Sequence, residues 1–341
     1  MGRMGGEAPP TFYADPSRAK SRVPGYASVM PRLLELVPAR RSVSAFAILL
    51  VALTAAACGP AATPSASTSA GSPSVIPLIV SSEQVVGPNR FVFSFVDPKT
   101  NLPVATPDRP AAVAFIAPGK TEPGPAAPAT FVWAIEGQRG DYVATTTFPE
   151  AGDWKAVFIT QGKGQPQEAI GVGFTVRDKA TTVGIGQQAP VTTNPTAADV
   201  NGDLSKISTD PKPDPRFYQL TVADALAQHK PFVLVFATPA FCKSAQCGPT
   251  LDRVKAVAAA APNDVAFINV EPYQLNYTEG RLQPVLDANG QLQTVDASNQ
   301  WGLVSEPWIF TVGADGVVDG SFEGVVGSDE LTAAIAKISG G

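Results

Sequence analysis

Two cysteines five positions apart, Cys242 and Cys247, are the residues whose type and spacing could do chemistry in this chain. The apolar run before them, residues 231–237, predicts a buried strand, and Gly248-Pro249 after them predicts the opening of an amphipathic helix. A thiol near a helix N-terminus is favoured as the thiolate, which is both a nucleophile and an electron donor. The pair could therefore carry out redox chemistry, or it could form a structural disulfide that holds a loop.

The separation of the two thiols constrains the structure around them. On one regular helix, positions i and i+5 would lie about 8 Å apart, beyond the about 7 Å between Cα atoms that a disulfide tolerates. The sequence therefore predicts that Cys242 lies in the loop before the helix, or that the first turn of the helix is unwound.

The third cysteine, Cys58, indicates where the protein resides. Two arginines precede an apolar stretch, residues 43–57, and small residues lead from it to Cys58. At about 15 residues the stretch is shorter than the about 20 that a membrane span needs. The order resembles a bacterial lipoprotein signal, which implies that residues 1–57 are an upstream segment and signal peptide, with Met30 as a candidate true start. The resemblance also implies that Cys58 carries lipid and that the mature chain is extracytoplasmic, anchored to the bacterial cell membrane. A plain secretory signal with a free cysteine is the alternative.

Charge and composition limit the partners of the mature chain. Residues 1–57 hold seven of the 25 basic and three of the 30 acidic side chains, so the chain that follows has a formal net charge of −9. No basic excess is left to attract nucleic acid, and we expect none as a partner. Residues 58–74 are rich in Ala, Thr, Pro, Ser and Gly, which predicts a disordered tether between the lipid and the first folded domain.

Residues 75–178 have the pattern of an all-β domain. Alternating apolar segments are separated by turn signals, at residues 91–96, 112–116, 131–135, 142–148, 154–159 and 171–176. This spacing predicts a β-sandwich of immunoglobulin-like type. The domain contains no His, Cys or Met, so the soft ligands of a copper site are missing and we expect no metal and no cofactor. We interpret it as a spacer or docking module.

The rest of the chain predicts an α/β domain. Residues 179–216 are rich in Pro, Thr, Asn and Asp and form a linker or a wrap, with Ile185, Val191 and Ile207 as its expected anchors. From residue 217 to residue 341 the order of elements is α, β, α, β, an insertion over 271–299, β, β, α.

Two motifs of this domain resemble those of the thioredoxin superfamily. Phe241-Cys242 stands where the family has Trp-Cys, and Ser305-Glu306-Pro307-Trp308 stands where it has a cis-proline loop facing the active cysteines. The segment from Trp308 to Gly316 is also similar to the strand and turn of membrane-tethered disulfide reductases. The resemblance covers about 125 residues and implies a thioredoxin-like domain. With the sandwich predicted from the strand spacing, the chain is expected to be multi-domain, an immunoglobulin-like sandwich followed by an α/β thioredoxin-like domain.

The resemblance also assigns roles. Cys242 would attack the partner as a thiolate and Cys247 would resolve the mixed disulfide. Phe241 and the loop from Glu306 to Trp308 would bind the partner chain, with Pro307 in the cis form. The partners implied are protein dithiol or disulfide clients.

Other readings of the same residues stay open. The segment from Thr238 to Cys247 also resembles the atypical two-cysteine peroxiredoxins, which makes a thiol peroxidase the first alternative, although these enzymes need an arginine that the Glu306-Pro307 loop does not supply. Copper delivery is the second alternative, because copper-chaperone relatives of the fold also use two cysteines. They need a distal histidine late in the domain, however, and the sole candidate, His229, precedes the first strand of the domain. A non-catalytic binding module with a structural disulfide is the third alternative. The buried acid that thioredoxins place below the active site is replaced by Val235 or Phe236.

Overall fold

The computed structural model describes residues 72–340 of the chain. The predicted signal peptide, Cys58 and most of the predicted tether lie outside this range. The described chain is rich in β-structure, with fifteen strands and four short α-helices. Among these helices, none has both the length and the apolar composition needed to cross a membrane.

Residues 75–178 form two sheets. The first consists of β1 (Ile76–Ile79), β3 (Gly87–Val96), β7 (Arg139–Phe148) and β6 (Thr130–Ile135), in that spatial order. The second consists of β2 (Gln84–Val85), β9 (Gln167–Arg177), β8 (Gly152–Gln161), β4 (Ala111–Ile116) and β5 (Ala127–Pro128), again in spatial order. Neighbouring strands pair antiparallel, apart from the short parallel pair of β2 and β9.

An aromatic core joins the two sheets. Phe91, Phe93 and Phe95 alternate along β3, so all three side chains point to the same face. The ring centroid of Phe93 lies 4.9 Å from that of Phe158 in the opposite sheet and 5.4 Å from that of Tyr142. Aromatic side chains bury the most apolar area per residue, so this cluster accounts for much of the stability of the sheet pair.

Four of the six strands of the C-terminal half form one mixed sheet. They are β11 (Ala266–Val270), β10 (Phe232–Phe236), β14 (Trp308–Val312) and β15 (Val318–Glu323), in that spatial order. Strands β10 and β11 are parallel, and β14 is antiparallel to both β10 and β15. The helices are α1 (Val222–Ala227), α2 (Cys247–Ala258), α3 (Asp296–Gln300) and α4 (Ser328–Ile338).

Both faces of this sheet are covered, which explains why all five residues of β10 are buried. Val233 and Val235 point toward α2 and α4, where they join a core with Leu251. Alternate positions of β10 point to the opposite face, where Phe236 packs with Trp301 beside α1 and α3. The period-2 alternation of one strand thus supplies two separate cores.

The segment 179–216 runs along the C-terminal half, although not on the anchors that its sequence suggested. Ile185 and Val191 are 66% and 70% exposed, so the expectation for these two was wrong, whereas Ile207 packs against the core. The segment is held instead by backbone hydrogen bonds along the edge strand β15, among them Gly186 N–H to the Val318 carbonyl at 2.8 Å. An extended chain bound through its backbone leaves alternate side chains in solvent.

The insertion 271–299 has regular structure of its own. It contains a two-stranded hairpin, β12 (Leu275–Thr278) and β13 (Arg281–Pro284), followed by α3. The turn between the strands is Glu279-Gly280, and both residues have positive φ, 54° and 79°. Such a two-residue turn suits the twist of a hairpin, but Glu is an uncommon residue at its first position, so no hairpin could be predicted from these residues.

Candidate functional site

Cys242 and Cys247 form a disulfide at the carboxyl end of β10. Their Cα atoms are 5.9 Å apart, within the range of a disulfide. Cys247 is the first residue of α2, and Cys242 lies in the preceding loop, so the expectation that the first cysteine precedes the helix is confirmed. We call residues 242–246 the cysteine loop.

The two sulfurs have different environments. Cys247 is fully buried, at 0% exposed, and joins the core below α2, whereas Cys242 is only partly buried. The backbone N–H of Cys247 points at the Cys242 sulfur at 3.2 Å, and the Ser244 hydroxyl oxygen lies 3.3 Å from the same sulfur. This N–H is one of the free donors that the N-terminus of a helix presents, and such donors stabilise negative charge placed at that end.

The cysteine loop contains a residue in an unfavourable backbone conformation. Ala245 has φ of 59°, in the left-handed region that Gly and Asn adopt more readily. The residues on either side are fixed by hydrogen bonds, because the backbone N–H of Gln246 donates to the Ser244 hydroxyl at 3.4 Å. The loop therefore has a defined conformation in the disulfide form.

The loop before β14 packs against the cysteine loop. The Glu306–Pro307 peptide bond is cis, as expected. The backbone N–H of Lys243 donates to Glu306 Oε1 at 3.0 Å, and the Ser244 hydroxyl donates to the Glu306 carbonyl at 3.4 Å. Glu306 also accepts a hydrogen bond of 2.6 Å from the Tyr273 hydroxyl, and burial together with this carboxylate raises the pKa of Tyr273.

The four residues predicted to bind a partner differ in their exposure to solvent. Phe241 and Glu306 are partly exposed beside the cysteine loop, but Pro307 and Trp308 are buried. The Trp308 ring stacks on Phe310 with centroids 5.7 Å apart, and its indole N–H donates to the Ser305 hydroxyl at 3.0 Å. Trp308 is therefore largely a core residue, because it alternates with Ile309 along a strand covered on both faces.

Glu271 is a buried acid near the site that sequence reasoning missed. It follows β11, and its side chain accepts hydrogen bonds from the Thr209 backbone N–H at 2.6 Å and from the Thr209 hydroxyl at 2.8 Å. Burial raises the pKa of Glu271 to about 7, and the nearby charge of Asp210 contributes in the same direction. The Thr209 hydroxyl also accepts from the N–H of Ala240, which connects this acid to the turn before Cys242. Only the position of Glu271 directly after an apolar strand could have signalled it.

The first sheet reaches the cysteine loop, which sequence reasoning also missed. Arg139 of β7 donates to the Ser244 carbonyl at 3.4 Å. Two residues farther along β7, Asp141 accepts a hydrogen bond of 3.4 Å from the side-chain amide of Gln246. Asp141 is 0% exposed, and this burial raises its pKa although the charge of Arg139 acts in the opposite direction. These contacts join residues 105 positions apart.

The single histidine of the chain lies away from the site. His229 is exposed just beyond α1, and its Nδ1 lies 3.3 Å from the Ala314 carbonyl oxygen. Within residues 72–340, no group of three or more His, Cys, Asp or Glu side chains is arranged to hold a metal ion.

Comparisons with known proteins leave the family of this chain unassigned. No family model and no curated protein matches it. A solved structure of a DUF4426 family protein from Pseudomonas aeruginosa PAO1 is similar to 28% of this chain over 77% of its own, with 8% identity and a TM-score of 0.21. A putative glycoside hydrolase from Bacteroides vulgatus ATCC 8482 is similar over 66% of this chain and 40% of its own, with 12% identity and a TM-score of 0.19. These scores are too low to support an argument about fold or function.

Proposed function

We propose that the chain is an extracytoplasmic, lipid-anchored thiol–disulfide oxidoreductase, with a thioredoxin-like domain over 217–341 that is carried by an immunoglobulin-like sandwich over 75–178. The observation that supports it most is the asymmetry of the Cys242–Cys247 disulfide. Cys242 is partly exposed beside the N-terminus of α2, and Cys247 is buried in the core. A nucleophile must reach its partner, whereas a resolving thiol needs to reach only the nucleophile.

The exchange would proceed in two steps. The Cys242 thiolate attacks one sulfur of a client disulfide, forming a mixed disulfide, and the other client sulfur leaves as a thiolate. The Cys247 thiolate then attacks the Cys242 sulfur, which releases the second client thiol and forms the Cys242–Cys247 bond. The client gains two electrons and this chain loses them. The same steps in reverse oxidise a client dithiol.

The arrangement of elements agrees with this proposal. The strand order β11-β10-β14-β15, the cysteine pair between β10 and α2, and a cis-proline loop in contact with the cysteine loop are the features expected of a thioredoxin-like domain. The Glu306 carbonyl already accepts a hydrogen bond from the Ser244 hydroxyl. A backbone N–H of the client would therefore compete with the Ser244 hydroxyl for this carbonyl.

Alkylation and trapping test the proposal. In the reduced protein near neutral pH, Cys242 should be alkylated well before Cys247, because Cys242 is partly exposed and Cys247 is buried. Cys247→Ser should trap mixed disulfides with client proteins, and Cys242→Ser is the matched control that should trap none. A pair with a reduction potential below about −300 mV, equal slow labelling and no trapped partner would instead identify a structural disulfide.

Peroxidase activity is the second candidate, and Arg139 favours it. The cis-proline loop supplies no arginine, but the first sheet places this guanidinium on the Ser244 carbonyl, two residues from Cys242. Peroxide should be offered in parallel with a dithiol substrate. Rapid turnover of peroxide that Arg139→Met abolishes would identify the peroxidase.

A further inference from the structure

The hairpin formed by β6 and β7 makes three polar contacts with the region of the cysteine pair. Arg139 donates to the Ser244 carbonyl and Asp141 accepts from Gln246, both within the cysteine loop. On β6, the Trp133 carbonyl accepts a hydrogen bond of 2.7 Å from Arg253 of α2. One hairpin of the first sheet thus holds both the cysteine loop and the helix that begins at Cys247.

The complete burial of the Asp141 carboxyl group is energetically unfavourable. It is fully buried, its Oδ2 accepts from Gln246, and its Oδ1 has no partner. Burying a polar atom without a hydrogen-bond partner is unfavourable, so packing alone does not account for a carboxyl group at this position. Gln246 is itself 2% exposed and directly precedes Cys247. The contact therefore fixes the residue that joins the cysteine loop to α2.

The contacts of Arg139 and Asp141 are made to the cysteine loop in its disulfide conformation. In that form the Cα atoms of the two cysteines are 5.9 Å apart and Ala245 is left-handed. A contact that stabilises the disulfide form more than the dithiol form shifts the redox equilibrium toward the disulfide. The shift equals the difference between the two stabilisation free energies.

We propose that Arg139 and Asp141 are positioning residues for the Cys242–Cys247 pair, so that the first sheet, by holding the cysteine loop, stabilises the disulfide against reduction. The sheet pair is then a regulator of the redox pair as well as a spacer. This inference rests on the proposed function, since it concerns the same pair.

The test is the equilibrium of the whole mature protein with dithiothreitol. Reduction breaks the Cys242–Cys247 bond and forms two thiols with two electrons and two protons from the reagent, which becomes a cyclic disulfide. The fraction of reduced protein is read by alkylation and mass spectrometry over a series of reduced-to-oxidised dithiothreitol ratios. Arg139→Met and Asp141→Leu remove the donor and the acceptor while keeping much of each side chain's volume.

Each of these variants should shift the equilibrium constant toward the dithiol by about fivefold, the factor expected for one hydrogen bond, or about 20 mV for a two-electron couple. Asp141→Asn keeps the acceptor and should retain the wild-type constant. Arg177→Met is the matched control, because Arg177 is a sheet arginine that contacts Glu83 and Thr181 instead of the cysteine loop.

Wild-type constants in Arg139→Met and Asp141→Leu, with thermal unfolding showing that both are folded, would overturn the inference. If Asp141→Leu does not fold, Arg139→Met decides alone. A failure of the proposed function is distinguishable, because the wild-type protein would then neither reduce nor oxidise a client, whereas the comparison of equilibrium constants would still decide the role of Arg139.

Discussion

At the scale of single residues, the burial of Glu271 predicts that the free energy of unfolding depends measurably on pH. Burial raises its pKa to about 7 from an ordinary value of 4.5. Between these values the unfolded chain has released the proton and the folded chain still holds it, so the free energy of unfolding should fall as the pH rises from about 5 to 7, by about 3 kcal/mol in total. Glu271→Gln still accepts from Thr209 but cannot ionise, so it should lose this decline and be more stable than the wild type at pH 8.

Denaturant unfolding at pH 5 and pH 8 measures the difference. Glu150→Gln is the matched control, since Glu150 is exposed and its change should leave the pH dependence as it is in the wild type. Parallel pH profiles for the wild type and Glu271→Gln would show that this carboxyl group titrates normally.

At the scale of elements, the cysteine loop depends on one left-handed residue. Ala245 has φ of 59°, a conformation that costs a residue with a Cβ about 1–2 kcal/mol. Glycine avoids this cost but loses about 0.5–1 kcal/mol through the greater freedom of the unfolded chain. Ala245→Gly should therefore raise the free energy of unfolding of the disulfide form by about 0.5 kcal/mol, and Ala245→Val should lower it by more than 1 kcal/mol.

Ala259→Gly provides the comparison for the loop variant. Ala259 directly follows the last residue of α2 and keeps the right-handed conformation, with φ of −64°, so the same substitution there should destabilise the protein. Changes of the same sign at both positions, in urea unfolding of the oxidised protein, would contradict the role given to the backbone of Ala245.

At the scale of the whole molecule, the two halves share an interface. Arg90 of β3 pairs with Glu330 of α4 at 2.7 Å and donates to the Val325 carbonyl at 2.6 Å, and its side chain is only 15% exposed. Beside it, Val92 and Ala134 of the first sheet pack against Val325. Arg90→Leu would leave the Val325 carbonyl without this donor and should lower the free energy of unfolding by about 2–3 kcal/mol.

Calorimetry of the protein measures the coupling between the two halves. The wild type should unfold in a single transition, and Arg90→Leu should lower its temperature or divide it into two. Arg177→Leu, which removes a 59% exposed arginine 3.8 Å from its partner, should change the stability by less than 1 kcal/mol. Two transitions in the wild type, unmoved by Arg90→Leu, would mean that the halves are independent.

The sequence predicts the secondary-structure elements better than it predicts the contacts between distant segments. Alternating phenylalanines predicted β3, and Gly248-Pro249 predicted α2, because these signals are local and follow the period of the element. Arg139, Asp141 and Glu271 had no such signal, since they reach the site only when distant segments pack together. The strand β3 shows the same limit: its alternation predicts one buried face, and only the C-terminal half buries the other.

The complete burial of β10 also has a consequence for the chain before it folds. Five consecutive apolar residues with high β-propensity and no charge are a segment prone to self-association when it is exposed, as in any newly synthesised chain. Lys230-Pro231 directly before the strand and Pro239 shortly after it are residues that oppose the stacking of such segments into aggregates. The yield of soluble protein on refolding, more than the stability of the folded state, is the property that these flanking residues protect.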